Sequence, residues 1–301
     1  MENSLIINNL SKSYNGVKAL DDISLNIKQG DVLGLVGSNG AGKTTLLKII
    51  TGLINNFQGE LKILPNSENN IDRALCGCLI ENSSYHPNLS IEDNFLLHND
   101  LLSERSSVKE VLRIISLVGL EEKKSTKVKN LSLGMKQRYG IGLALLGNPK
   151  LVILDEPTNG LDPIGVIDFR NIIRNLNNEY NTTFIISSHN LYEIDNIVNK
   201  FAILHKGRLL NLVEKSEDKG STCIILEFED KYIEKANMFF INNHFEVIRD
   251  NTYKYVINNI DEYEYVLDKL IKNNIYPKNF SYTNKSVESY YLENIKDFEN
   301  E

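Results

Sequence analysis

Val32-Leu33-Gly34-Leu35-Val36 runs directly into Gly37-Ser38-Asn39-Gly40-Ala41-Gly42-Lys43-Thr44, and Thr45-Leu46-Leu47-Lys48-Ile49-Ile50 follows. The first run has the composition of a buried strand, the glycine-rich octet that of a turn, and Lys43 to Gly52 that of a helix. Between those flanks the octet satisfies GxxxxGK[ST], in the setting its mechanism requires. Its glycines let backbone N–H groups converge on phosphate oxygens at a helix N-terminus, Lys43 adds a point charge, and the Thr44 hydroxyl can ligate Mg²⁺. Gly37, Ser38, Asn39, Gly40, Ala41, Gly42, Lys43, Thr44 and Thr45 are the candidate phosphate-binding residues. The plain alternative is a glycine-rich turn with a chance lysine.

Outward from this unit, strand signals stand at Leu5 to Leu10, Ile23 to Ile27, Leu75 to Ile80, Leu151 to Leu154, Thr183 to Ser187 and Phe201 to Leu204. Between about Ser90 and Gly147 the period becomes helical, with Val108, Val111, Leu112, Ile115 and Val118 on one face. Strands alternating with helices predict a mainly parallel sheet carrying a helical insertion. A polar stretch from Lys215 to Ser221 marks a boundary. Beyond it a small α+β unit is expected: strands at Cys223 to Phe228, Phe245 to Arg249 and Tyr253 to Ile257, with helices at Tyr232 to Asn243, Glu262 to Asn273 and Val287 to Ile295.

Composition removes other classes. The 301 residues are 42% hydrophobic and 24% charged, enough for one large domain and a smaller one. No apolar run approaches the roughly 18 residues of a membrane span, and Met1 to Ile7 lacks a basic start and apolar core, so a cytoplasmic location is expected. Up to Lys215 there are 23 basic and 23 acidic residues, and from Ser216 onward 10 and 17, so the whole net charge of −7 lies in the tail. Such a tail repels nucleic acid. The three cysteines have no zinc spacing and are expected as reduced core thiols.

A second motif is Leu151-Val152-Ile153-Leu154-Asp155-Glu156, an apolar strand ending in two adjacent carboxylates. Beside a phosphate cradle, Asp155 suits the Mg²⁺ shell and Glu156 suits the general base that takes a proton from attacking water. An ordinary acidic turn is the competing reading.

Together these motifs resemble the nucleotide-binding subunit of an ATP-binding cassette (ABC) transporter over about residues 1–215. Leu131-Ser132-Leu133-Gly134-Met135-Lys136-Gln137-Arg138 is similar to the family's signature motif, with Ser132 placed 23 residues before Asp155. The resemblance implies a P-loop NTPase of ABC-cassette type, a mixed sheet core with a helical subdomain at about 90–147, followed by a C-terminal α+β domain at 216–301. It implies ATP and Mg²⁺ as ligands. It also implies that Ser132 and Gly134 cap the γ-phosphate of ATP held by a second cassette, another copy of the chain, and that Asp162 in Asn159-Gly160-Leu161-Asp162 couples the two sites. His189, after Phe184-Ile185-Ile186-Ser187-Ser188, falls at the switch histidine that holds the water with Glu156. Tyr14 falls where relatives stack an aromatic on adenine, although a half-exposed turn tyrosine is the plainer account.

Glu81 stands where the family usually has glutamine, and a carboxylate there can ligate Mg²⁺ or simply end a strand. Leu133 and Met135 depart from the LSGGQ form. The LSLGMKQR form, Glu81 and the tail's Val287-Glu288-Ser289-Tyr290-Tyr291-Leu292 resemble the bacitracin-resistance and lantibiotic-immunity exporter branch. The resemblance therefore implies a catalytic pair of Glu156 and His189, metal ligation by Thr44, Asp155 and Glu81, and an integral-membrane permease docked on Glu81 to Leu101. It implies a peripheral location on the inner face of the membrane and no nucleic-acid partner. Two other classes stay open at this level: a soluble cassette ATPase acting on ribosomes or DNA, and a regulator that binds ATP without turning it over.

Overall fold

The computed structural model describes residues 2–63, 76–81, 84–103, 105–214, 222–241, 246–249, 252–257, 266 and 268–284. They form two compact units, one within Met1–Glu214 and the other within Lys215–Lys296.

The first unit opens with a hairpin. Asn15 and Gly16 both take positive φ, 48° and 84°, the geometry of a type I′ turn that matches strand twist. The turn joins β1 (Asn3–Tyr14) to β2 (Val17–Lys28). Both strands are longer than the apolar patterning predicts, because pairing continues to Tyr14↔Val17 through polar residues. With β4 (Gln58–Ile63) they make an antiparallel sheet ordered β2-β1-β4.

The second sheet has six strands in the order β5-β6-β7-β3-β8-β9. They are β3 (Val32–Val36), β5 (Cys76–Leu79), β6 (Leu151–Leu154), β7 (Thr183–Ser188), β8 (Lys200–His205) and β9 (Arg208–Glu214). All pairs are parallel except β8 with β9. Strands β3, β6, β7 and β8 are buried at every position, as a sheet covered on both faces requires. Helix α1 (Lys43–Ile50) leaves the end of β3 and contributes Leu46, Leu47, Ile49 and Ile50 to a core shared by the two sheets.

The helical insertion consists of α2 (Ile91–Asp100), α3 (Val108–Leu117) and α4 (Leu133–Ala144). Ser90 and Asp93 form a reciprocal capping box at the start of α2. Phe95 and Tyr139 meet edge to face at 5.4 Å in the buried seam between α2 and α4. Helix α5 (Pro163–Tyr180) and the short α6 (Leu191–Ile194) complete the unit.

The second unit is an antiparallel sheet, β11-β12-β10-β13, made of β10 (Thr222–Glu227), β11 (Glu246–Arg249), β12 (Thr252–Ile257) and β13 (Asn279–Asn284). Helix α7 (Ile233–Ile241) supplies Ala236 to a core of Leu226, Phe228, Tyr253, Val266, Leu270 and Ile275. Strand β13 is a further element that the sequence analysis does not name; Asn279-Phe280-Ser281-Tyr282-Thr283-Asn284 has only Phe280 and Tyr282 as large apolar residues. The expected helix at Val287 to Ile295 lies outside the described residues. One expectation is corrected: the thiols of β5 are not in the core, since Cys78 is exposed and Cys76 only half-buried, because β5 is the edge of its sheet.

Candidate nucleotide-binding site

At the C-terminal ends of β3, β6 and β7, loops converge on a cleft of about 350 Å³ lined by residues of the 38–45 turn, Ala19, Glu156, Asn159 and His189. Ligands bind at this end of open α/β sheets because helix N-termini and loop N–H groups face it. Gly42 caps α1 with φ 106°, and a Cβ there would meet Ala19 O at 2.7 Å, so only glycine lets the chain enter the helix this way. Inside the turn, Lys43 is 6% exposed. Its Nζ donates to Gly37 O at 2.7 Å and Ser38 O at 3.3 Å, and stands 3.4 Å from Glu156 Oε1. The ammonium is thereby aimed along the cleft floor instead of into solvent.

The strand-end carboxylates have different partners and hence different capacities. Asp155 Oδ2 accepts from Thr44 Oγ1 at 2.8 Å, and its Oδ1 accepts from Ser187 Oγ at 2.5 Å. Thr44 and Asp155 therefore offer adjacent hard oxygens. That donor set fits Mg²⁺, which keeps most of its water and takes one or two carboxylate or hydroxyl ligands plus phosphate. Glu156 turns the other way. Its φ is 50°, a conformation that non-glycine residues rarely adopt. It is held there by its own N–H on Ser187 Oγ at 2.8 Å and by Asn159 N–H on its carbonyl at 3.2 Å. Its carboxylate faces Lys43 through Oε1 and His189 Nδ1 through Oε2, the latter at 2.7 Å.

A second cleft, of about 410 Å³, gathers Ser132, Leu133, Gly134, Met135, Gly160, Leu161 and Asp162. Two helices begin at its edge: Ser132 Oγ accepts from Met135 N–H at 3.3 Å at the start of α4, and Asp162 Oδ1 accepts from Gly165 N–H at 2.7 Å at the start of α5. Each is an N-cap, and each helix end presents partial positive charge. Leu133 lies against Gly160, where an added Cβ would come within 2.5 Å of Leu133 Cδ2. Neither Ser132, Gly134 nor Asp162 lines the first cleft.

Two candidates stand apart from the first cleft. Tyr14 is 45% exposed, with Lys12 Nζ 4.9 Å from its ring centroid; Ala19 of β2 reaches the cleft and Tyr14 is not in its lining. Glu81, at φ 59°, accepts from Lys48 Nζ on its Oε1 at 2.6 Å and its side chain is 60% exposed. Among the residues that patterning missed is Ser187, read only as the end of a strand. The signal available in the sequence was a hydroxyl pair, Ser187-Ser188, between an apolar run and His189.

A family model described as ABC transporter matches residues 20–159. The bacitracin transport ATP-binding protein BcrA of Bacillus licheniformis is 38% identical over 244 residues, 79% of this chain and 78% of its own. The lantibiotic transport ATP-binding protein SrtF of Streptococcus pyogenes is 39% identical over 214 residues, 71% of this chain and 91% of its own. A solved bacterial ABC transporter cassette, MJ0796 in a dimeric structure, is similar with a TM-score of 0.64 and 25% identity, over 70% of this chain and 99% of that one. The mixed sheet, the cleft at its strand ends and these matches agree, and the chain belongs to the ATP-binding subunits of ABC transporters, cassettes that bind and hydrolyse ATP.

Proposed function

We propose that this ATPase drives a separate integral-membrane permease that exports an antimicrobial peptide or peptide antibiotic, giving its host immunity or resistance. The relatives named for bacitracin and lantibiotic transport support the cargo class. Among the described residues no helix is long and apolar enough to cross a membrane. We assign residues 1–215 to the nucleotide-binding domain and 216–301 to an accessory domain, with the chain peripheral on the inner membrane face. The segment Glu81 to Leu101 is the proposed docking surface.

The observation that carries the catalytic reading is that Lys43, Thr44, Glu156 and His189 line one cleft, with Asp155 bonded to Thr44 beside it. The N–H groups of Gly37 to Thr45 and the Lys43 ammonium bind the phosphates, with Tyr14 as the proposed adenine stack. Thr44 and Asp155 would hold Mg²⁺, which supplies charge neutralisation to the triphosphate when bound; Glu81, paired with Lys48 through Oε1, is the third proposed ligand. Glu156 takes a proton from water as the water oxygen bonds to the γ-phosphorus and the bond to the ADP oxygen breaks. His189 orients Glu156 and the water. Ser132, Gly134 and Asp162 line their own cleft, so the capping of a γ-phosphate by Ser132 and Gly134 is proposed to come from a second copy, with Asp162 coupling the two sites.

The test is a susceptible host expressing the chain with its permease. Resistance to a bacitracin- or lantibiotic-type peptide should rise, and Lys43→Ala or Glu156→Gln should abolish the rise. Unchanged resistance with intact expression of both proteins would remove the cargo assignment.

A further inference from the structure

The proposed hydrolytic pair sits on two separate segments, Glu156 after β6 and His189 after β7, and the His189 side chain is 49% exposed. Packing does little to hold such a ring, so its aim depends on the backbone beneath it. That backbone is tied on one side by Ser188, whose Oγ accepts from Asn190 N–H and donates to Asn190 O, both at 2.9 Å. On the other side stands Glu193, in α6. Its Oε1 accepts from Asn190 Nδ2 at 3.0 Å, and its Oε2 accepts from the hydroxyl of Thr158, two residues beyond Glu156. Thr158 is 4% exposed. The carbonyl of Glu193 also accepts from Arg170 Nε of α5 at 2.8 Å, which fixes α6 itself. With His189 Nδ1 on Glu156 Oε2, the contacts close a ring through Glu156, Thr158, Glu193, Asn190 and His189.

We infer that Glu193 is a positioning residue for ATP hydrolysis, its carboxylate bridging the segment that carries the base to the segment that carries the histidine; this rests on the reading of Glu156 and His189 given above. A carboxylate suits the place because two donors arrive from two different segments and each needs an acceptor. Glutamine can serve as well, since its carbonyl accepts from Asn190 and the Thr158 hydroxyl can turn to accept from its amide. Alanine cannot. Neither Glu193 nor Thr158 lines the nucleotide cleft, so losing the bridge should alter the alignment of the reacting groups more than ATP affinity.

The experiment is steady-state ATP hydrolysis by the full chain with Mg²⁺, alongside thermal unfolding. Glu193→Ala should lower kcat about tenfold with KM for ATP within about twofold. Thr158→Val, which keeps the side-chain volume, should lower kcat in the same direction, and Glu193→Gln should recover kcat to within about threefold of the parent. Should Glu193→Ala fail to fold, Thr158→Val and Glu193→Gln decide the matter alone. Glu156→Gln is the control. If it leaves turnover intact, the reading of the catalytic pair has failed. If it abolishes turnover while Thr158→Val keeps the parent kcat, or if Glu193→Ala lowers kcat and raises KM equally, the positioning role is refuted and the catalytic pair stands.

Discussion

Ser187 Oγ donates to Asp155 Oδ1 at 2.5 Å and in the same position accepts the backbone N–H of Glu156 at 2.8 Å. One hydroxyl on β7 thus holds the carboxylate proposed for the metal and the backbone of the proposed base, which sit side by side at the end of β6. The donor and acceptor functions of a serine are both used, and neither valine nor alanine reproduces them.

Ser187→Ala should therefore leave Glu156 N–H and one Asp155 oxygen without this partner at a fully buried position. The expected loss is about 1–3 kcal/mol of stability by urea unfolding, accompanied by a fall of roughly tenfold in turnover. A stability change under about 0.5 kcal/mol with normal turnover would show the hydroxyl to be incidental.

Gly160 takes φ 81° and lies under Leu133, the residue that stands where the common signature has glycine. Gly160→Ala is expected to destabilise by about 1–3 kcal/mol through both backbone strain and collision with Leu133. Leu133→Ala should relieve the collision and leave the strain. A double-mutant cycle should then show coupling of at least about 0.5 kcal/mol; additive effects would mean the two side chains are independent.

His98 on α2 reaches back to the segment after Glu81, its Nε2 donating to Ser84 O at 3.1 Å. Burial holds its imidazole below the ordinary 6.5, against the upward pull of that carbonyl and helped by the nearby His86. The folded state then binds a proton less readily than the unfolded state. Its stabilising contribution is complete above the unfolded value and lost as pH falls toward the folded one, at no more than about 1.4 kcal/mol per pH unit. Urea midpoints from pH 7.5 to 5 should fall in the parent chain and fall less in His98→Gln. Identical slopes would contradict the assignment.

The parallel core was legible because β3 and β6 are apolar throughout and β7 and β8 carry the apolar runs Phe184 to Ile186 and Phe201 to Leu204. Strands β4, β9 and β13 escaped because each lies at the edge of its sheet and carries polar residues such as Gln58, Glu60, Arg208, Asn211 and Asn279 on its open sides. The full length of the β1–β2 hairpin is not legible from apolar patterning, since its outer residues are polar. In the site, Lys43 and Thr44 follow from one contiguous motif and Asp155 and Glu156 from another, each fixed by its flanks. Ser187, Thr158 and Glu193 do not, since their roles come from hydrogen bonds across 31 and 35 positions of sequence. The position of Glu81 on Lys48 is likewise a tertiary fact that no local spacing encodes.

The separate placement of the phosphate turn and the Ser132–Asp162 cleft makes pairing of two copies the centre of this account. Sedimentation velocity of the full-length Glu156→Gln chain with and without Mg²⁺ and ATP tests it most directly. The account predicts monomer alone and a stable dimer with ATP retained, reverting when ATP is replaced by ADP. A chain that binds ATP with magnesium and stays monomeric at every concentration would contradict it.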